Sequence, residues 1–285
     1  MNYKMVGFVL GRIFLIEAAL MLFPMGCAAI YGEWSVVLSF LWPTLIVLAL
    51  GLITSLHTPQ NTKIYARDGL AIVALVWVLM SVFGALPFVI SGEIPSFADA
   101  FFETVSGFTT TGSTILTDVE ALSHGTLFWR SFSHWIGGMG VLVFAMAVLP
   151  MTDGRAMHLM RAEVPGPTCG KISSKLSDSA KILYAIYLVM TVIETILLCA
   201  GGMPLFDALI HAFGTAGTGG FSNKALSVGA YNSPYFEIVI GVFMLLFGIN
   251  FNLYYFLLLR HFRAAFASEE MRVYLGIVAF STLTI

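Results

Sequence analysis

Charged side chains are scarce in this sequence. Asp, Glu, Lys and Arg make up 11% of its 285 residues, against roughly 25% in a soluble globular protein. Hydrophobic residues account for 58%, and the mean hydropathy is +0.90. This composition excludes an ordinary soluble domain and indicates an integral membrane protein surrounded by a lipid bilayer. The formal net charge of −2, without a basic stripe, gives no indication of nucleic-acid binding.

Metal-binding and disulfide patterns are missing as well. Cys27, Cys169 and Cys199 are an odd, scattered set, which predicts neither a disulfide framework nor a metal site. The histidines lack the i, i+4 spacing of a helical metal site. We therefore expect no cofactor to be bound by this chain.

Long apolar runs dominate the sequence. A membrane-spanning helix needs about 20 apolar residues. The candidate spans are Val6–Tyr31, Ser35–Leu56, Gly69–Ser91, Thr126–Pro150, Ile182–Gly201 and Tyr235–Leu259. A seventh begins near Val273 and is cut off at Ile285, so we expect the chain to be a fragment of a longer protein.

The basic residues indicate the orientation of these spans. If every candidate crosses once, the basic groups around Lys63, Arg161 and Arg260 share one side with the N-terminus, and Lys224 is the only basic residue on the other side. Cytoplasmic loops carry the excess of positive charge. The N-terminus is therefore predicted to be cytoplasmic.

Two short runs of the sequence look like copies of one loop. Asp99, Thr110 and Gly112 each have an identical residue 108 positions later. Each run is apolar, lies between two spans and ends in Thr and Gly. The first, Phe97–Phe108, is too short to cross a bilayer, so we predict a helix that enters the membrane and returns to the side it left.

This layout is typical of an ion-channel pore loop, in which backbone carbonyls replace the water around a dehydrated cation. Ser96 is expected to cap the first pore helix, with Asp99 in its first turn. The glycines allow backbone angles that other residues resist, and the lack of a carboxylate in either Thr/Gly segment favours a monovalent ion. The alternative is that Thr and Gly only let helices pack closely; two copies in register favour the pore.

Charged residues near membrane depth are expected to be paired. Glu103 lies on the first pore helix and Arg130 early in the next helix, so we expect them to brace the filter; an interfacial Arg130 is the alternative. Glu194 lies inside the fifth span and needs a partner, for which His211, at the position matching Glu103, is the candidate.

The predicted fold class is an all-α polytopic membrane protein with repeated helix–pore loop–helix units, as in potassium channels, preceded by a helical hairpin. The predicted blocks are the hairpin 1–57, the first unit 64–150, a cytoplasmic link 151–175, the second unit 176–263 and the start of a truncated third unit 269–285.

The combination of motifs resembles the TrkH family, the membrane subunits of the bacterial Trk potassium uptake system, within the Trk/Ktr/HKT superfamily. The matching segments are Gly84–Phe88, Asp99–Glu103, Thr109–Thr114, Trp135–Gly140, Arg161–Pro167 and Gly219–Ser222. The resemblance implies four helix–pore–helix units around one pore and channel-like, non-enzymatic potassium uptake across the inner membrane. It also implies a homodimer gated by a TrkA-like cytoplasmic nucleotide-binding subunit.

The resemblance further implies which residues bind potassium. The filter carbonyls would come from Thr110, Thr111 and Gly112, and from Thr218, Gly219 and Gly220. Gly112 and Gly220 match the pattern of potassium-selective family members. By the same resemblance, family members that have Ser at the position of the first glycine look permeable to sodium.

Two other classes of function compete with a channel. A secondary carrier with broken helices, coupled to sodium or protons, would bind its substrate at the midplane, but its repeats often invert, whereas these two units share one orientation. An intramembrane serine protease would need an activated nucleophile, and Ser106 with His134 is the only nearby pair.

Overall fold

The computed structural model describes residues 1–56, 59–61, 65–140, 176–260 and 268–284. The predicted cytoplasmic link 151–175 and residues 141–150 of the fourth predicted span lie outside these ranges. Every regular element within them is helical, as the sequence predicted. The helices are α1 Tyr3–Leu20, α2 Leu22–Ile30, α3 Trp34–Ser55, α4 Ala66–Ser91, α5 Phe97–Phe108, α6 His124–Gly138, α7 Leu176–Ala200, α8 Leu205–Ala216, α9 Pro234–Phe247, α10 Phe251–Leu258 and α11 Glu269–Thr284, with a 3₁₀ turn at Ser227–Tyr231.

Four helical segments of the described chain are long and apolar enough to cross a membrane. They are Tyr3–Ile30, Trp34–Ser55, Arg67–Ser91 and Ala180–Ala200, and the bent pair α9 and α10 would make a fifth. The first of these, predicted as one helix, is interrupted at Met21 between α1 and α2. Pro24 lies one turn beyond this break and has no N–H to continue the helical hydrogen bonds.

The N-terminal hairpin is formed by α1 and α2 on one side and α3 on the other. A methyl group at Gly51 would press against the Leu15 side chain and the Gly11 carbonyl, so the two helices approach closely at these glycines. Buried side chains of the hairpin, among them Ile13 and Phe40, join one apolar core with α4, α5 and α6. The hairpin therefore packs against the first pore-loop unit.

The sixth predicted span, Tyr235–Leu259, is not one straight helix. α9 ends at Phe247 and α10 begins at Phe251, and their axes differ by 91°. Asn250 caps α10 by accepting a hydrogen bond from the Asn252 N–H at 3.0 Å. Gly248 lies at the break, where a methyl group would meet the Tyr274 hydroxyl of α11. Hydropathy alone missed the break because both halves are apolar.

Candidate functional site

The two pore helices are matched in length and position. α5 and α8 each have 12 residues, and each begins 108 residues from the other in the chain. The side chain of Ser96 accepts a hydrogen bond from the Asp99 N–H at 3.4 Å, which confirms the predicted cap of α5. α8 has no side-chain cap, since Pro204 precedes it, but Asp207 lies in its first turn as Asp99 does in α5.

The Thr/Gly segments that follow the pore helices have the same backbone conformation. Thr110 and Thr218 have φ values of 55° and 57°, and Gly112 and Gly220 have φ values of 76° and 81°. A left-handed φ is unfavourable for threonine, so its occurrence at both matching positions is a specific feature of the turn. The 108-residue repeat seen in the sequence is therefore also a repeat of backbone geometry.

Hydrogen bonds to the pore helices hold both turns. In the first, the N–H of Thr110 donates to Gly107 and that of Thr111 to Ser106, at 3.0 and 2.9 Å. In the second, the equivalent N–H groups of Thr218 and Gly219 donate to the carbonyls of Thr215 and Gly214, at 2.9 and 3.1 Å. The Gly220 N–H also donates to the Gly214 carbonyl. The N–H groups of the turns are thus directed back to the ends of the helices that precede them.

The carbonyl oxygens of the turns are not used in this way. Six carbonyl oxygens of the turns accept no hydrogen bond from the described part of the chain. They are those of Thr110, Thr111, Gly112, Thr218, Gly219 and Gly220. Residues that alternate between left- and right-handed conformations place successive N–H groups on one side of the chain, which leaves the carbonyls on the other. Such oxygens can accept a cation in place of a hydrogen bond.

The two turns contact each other directly. A side chain at Gly112 would collide with the carbonyl of Gly219, and one at Gly219 would collide with the ring of His134. Gly220 has open space where a methyl group would be. The absence of a side chain is therefore a packing requirement at Gly112 and Gly219, and only a requirement of backbone angle at Gly220.

Glu103 and Arg130 are brought together behind the first turn. Arg130 Nε lies 2.5 Å from Glu103 Oε1, with both side chains buried. Glu103 also accepts hydrogen bonds from the Thr114 hydroxyl at 2.8 Å and from the Ile115 N–H at 3.1 Å. Arg130 Nη1 donates to the carbonyl of Ser222, after the second turn, at 3.0 Å. Arg130 thus links the first pore helix to the segment that follows the second turn.

The second unit repeats the Glu103–Thr114 contact with other residues. His211 Nε2 lies 3.2 Å from the Ser222 hydroxyl, and His211 and Ser222 occupy the positions that match Glu103 and Thr114. The expected contact between Glu194 and His211 is not formed. His211 Nδ1 instead pairs with the carbonyl of Asp207, and neither carboxylate oxygen of Glu194 has a hydrogen-bond partner in the described ranges.

His134 is a residue of this site that sequence reasoning did not place there. Its ring stacks on Phe221 with centroids 4.0 Å apart, and the Arg130 guanidinium lies 3.6 Å from the centroid of the same ring. Arg130 and His134 are four residues apart on α6, so they share one face of the helix. This spacing, together with the aromatic residue Phe221 after Gly220, is the sequence pattern that could have indicated a place for His134 in the site.

The geometry gives no support to the protease alternative. The Ser106 hydroxyl donates to the carbonyl of Ser113 at 2.6 Å, while the His134 ring packs on Phe221. No group of three or more His, Cys, Asp or Glu side chains in the described residues could hold a metal ion.

Two contacts outside the spans fasten the loop after the second turn. Glu120 accepts hydrogen bonds from the Ala225 N–H and from Lys224 Nζ, both at 3.2 Å, and these bonds lower the pKa of Glu120. The Tyr231 hydroxyl donates to Asp207 at 2.7 Å. Partial burial, together with this bond to a carboxylate, raises the pKa of Tyr231.

Comparison with known proteins identifies a family and several relatives. A family profile described as "TrkH: Cation transport protein" matches residues 35–283. The chain is 36% identical over 284 residues to "Trk system potassium uptake protein TrkH" of Salmonella typhimurium, covering 97% of this chain and 58% of that protein. It is 35% identical over 261 residues to "Trk system potassium uptake protein TrkG" of Escherichia coli K12, covering 91% of this chain and 54% of the relative.

A solved structure has the same fold. The "Crystal Structure of the Potassium Transporter TrkH from Vibrio parahaemolyticus" matches with a TM-score of 0.83 and 29% identity, covering 100% of this chain and 58% of that one. The chain therefore spans a little over half the length of these relatives. With its all-helical membrane fold, its repeated pore loops and these matches, the chain belongs to the TrkH family of cation transport proteins.

Proposed function

We propose that this chain forms part of the wall of a potassium-uptake pathway, in which the carbonyls of the two Thr/Gly turns replace the water around a dehydrated potassium ion. The observation that carries the proposal is the hydrogen-bond pattern of the backbone in the two turns. Five of their N–H groups bond back to the pore helices, whereas their six carbonyls accept no hydrogen bond within the described residues. The relatives named as potassium uptake proteins support potassium as the transported ion.

The surroundings of the turns favour a cation that is bound and then released. Both turns follow the C-terminal end of a pore helix, which carries partial negative charge. The Thr/Gly segments contain no carboxylate, so the site attracts a monovalent cation without holding it too tightly for conduction. In this proposal, Glu103 and Arg130 brace the first turn, and the contact of Arg130 with Ser222 keeps the two turns in register.

The remaining features of the transporter are proposed from the family. Further helix–pore–helix units would complete the pore, and a second copy would make a homodimer. A TrkA-like cytoplasmic nucleotide-binding subunit would gate the pore from the side of the link 151–175. The basic loops support a cytoplasmic N-terminus in the bacterial inner membrane.

Growth of a bacterium deficient in potassium uptake tests the proposed function. The full-length protein that contains this chain, supplied with its regulatory partner, is expected to restore growth on limiting potassium. The matched control is Gly112→Val at the same membrane level, since a side chain there would collide with Gly219. No rescue by the parent protein, with its presence in the membrane verified, would overturn the proposal.

A sodium- or proton-coupled carrier is the second candidate, and the break between α9 and α10 is the observation that favours it. Interrupted helices near the midplane are typical of carrier binding sites, and the 91° bend is such an interruption. Potassium flux into liposomes distinguishes the two functions. A channel conducts potassium down its own gradient, with no sodium or proton gradient imposed, whereas a coupled carrier stops when the coupling ion is removed.

A further inference from the structure

An apolar groove lies at the seam between the two pore-loop units, beside the N-terminal hairpin. Its volume is about 470 Å³. Residues from α1, α2, α6, α7 and α8 form its walls and floor. The residues that define this seam groove are Leu20, Phe132, Trp135, Leu188, Thr191 and Phe213.

The seam groove is closed at its floor and open at its rim. Phe132 and Phe213 in the floor are 5% and 8% exposed, whereas Leu188 and Ile196 at the rim are 51% and 60% exposed. Two of its walls belong to segments apolar enough to span a membrane, Tyr3–Ile30 and Ala180–Ala200. Within the described residues, the rim of the groove is therefore apolar and uncovered.

The polar side-chain atoms that line the groove are already paired. Trp135 Nε1 donates to the Thr191 hydroxyl at 3.1 Å. The Thr191 hydroxyl donates to the Tyr187 carbonyl, and the Thr195 hydroxyl to the Thr191 carbonyl, both at 2.9 Å. A buried water needs two to four polar partners. The groove thus fits an occupant that forms no hydrogen bonds.

The depth of the groove corresponds to one leaflet of the bilayer. Above it, Tyr31 stacks on His124 at 3.8 Å, and Phe206 meets His124 edge-on at 4.9 Å. Tyr31 follows the apolar segment Tyr3–Ile30, and tyrosine is enriched at the membrane–water interface. Along α6, Phe128 and Trp135 lie about 6 and about 16 Å below His124 at 1.5 Å per residue. Half of the hydrocarbon core is about 15 Å thick.

The size of the groove distinguishes an acyl chain from a helix. One turn of helix with its side chains occupies roughly 400–600 Å³, given its diameter and pitch. The enclosed space would therefore hold at most about one turn, so a helix could lie only across the rim and would leave the floor unfilled. We propose that the seam groove binds one acyl chain of a phospholipid from the leaflet on the side of the Thr/Gly turns. The bound acyl chain supports the second pore helix by packing against Leu209 and Phe213.

Photo-crosslinking of the full-length protein in liposomes tests this proposal. The probe is a phosphatidylethanolamine with a diazirine in the middle of one acyl chain. Labelling is expected on the peptides that carry Phe132 and Phe213. Leu188→Trp fills the mouth of the groove and is expected to reduce this labelling at least five-fold. Ile193→Trp is the matched control, because Ile193 is exposed on the same helix, at 45%, but does not line the groove.

The supporting role has its own measurement. Adding phosphatidylethanolamine to the delipidated protein is expected to raise the Tm of the parent and of Ile193→Trp, but to change that of Leu188→Trp much less. The binding site would be overturned if the floor peptides of the parent protein are not labelled, or if Leu188→Trp is labelled as strongly as the parent. Labelling without a lipid-dependent rise in the parent's Tm would overturn the supporting role.

Discussion

Arg130 Nε lies 2.5 Å from Glu103 Oε1, and the side chains of the two residues are 3% and 0% exposed. A buried ion pair is weak support for stability as such, because the cost of removing both charges from water offsets their attraction. The role of this ion pair is instead to position the backbone that follows each turn. Glu103 holds the backbone after the first turn and Arg130 holds the Ser222 carbonyl after the second.

Breaking this pair is expected to be costly. Glu103→Gln leaves Arg130 buried without a counter-charge and should destabilise the folded full-length protein by about 3 kcal/mol. Thermal unfolding in detergent, with potassium flux in liposomes, measures the effect. Glu237→Gln is the control, since Glu237 is exposed on α9 and should change stability by less than about 0.5 kcal/mol. A Glu103→Gln protein as stable as the parent would contradict the prediction.

Neutralising both members of the pair separates stability from positioning. The double variant Glu103→Leu, Arg130→Met should be more stable than either single variant, because no charge remains buried. It still lacks the donor to Ser222, so we expect potassium selectivity to remain impaired. Flux ratios for potassium and sodium measure this. Parental selectivity in the double variant would show that the link to Ser222 is not needed.

Gly112 and Gly220, the two glycines of the proposed filter, are predicted to respond differently to substitution. Both have positive φ, which costs a side chain about 1–2 kcal/mol. Gly112→Ala also forces a methyl group against the Gly219 carbonyl, whereas Gly220→Ala meets nothing within 4 Å. We expect the larger loss of potassium-over-sodium selectivity in Gly112→Ala, and Gly112→Ser to admit sodium. Equal selectivity losses in the two alanine variants would mean that contact between the turns is unimportant.

The sequence predicted what depends on composition and on the internal repeat. The predicted pore helix Phe97–Phe108 has the same bounds in the structure, because its cap, its length and its Thr/Gly end are local signals. The contact of Gly112 with Gly219 is not local, since it joins segments 107 residues apart. Nor did hydropathy indicate the break at Gly248 or the role of His134, because both depend on side chains that other segments bring next to them. These are Tyr274 beside Gly248 and Phe221 beside His134.

His134 is expected to act by the shape of its ring. It stacks on Phe221 and faces Gly219, so His134→Ala should leave a cavity behind the second turn and reduce selectivity, at a cost of about 2–4 kcal/mol in stability. His134→Phe keeps an aromatic ring there and should retain most of the flux. Thermal unfolding and potassium-to-sodium flux ratios check both. Loss of selectivity in His134→Phe would instead indicate a need for a ring nitrogen.

Acid is expected to weaken the contact between the hairpin and α6. Glu33 Oε1 accepts hydrogen bonds from the N–H and the ring of His124, both at 2.9 Å, and Oε2 accepts one from the Gly125 N–H at 3.0 Å. Partial burial opposes ionisation, but the N–H groups of Gly125 and His124 and the His124 ring outweigh it, so the pKa of Glu33 is lower than usual. The carboxylate also lies at the N-terminus of α6, where negative charge is favourable.

A lowered carboxyl pKa contributes stability that is present above the ordinary value of 4.5 and is lost as the pH falls through the lower folded-state value. Glu33→Gln should therefore lower stability at neutral pH by about 1 kcal/mol, a modest figure because the site is partly exposed. The difference in Tm between parent and variant should shrink from about pH 5 to about pH 3. Glu237→Gln, exposed and remote, is the control variant. A Glu33→Gln difference that grows toward acid pH would contradict the assignment of Glu33 as an ionised cap of α6.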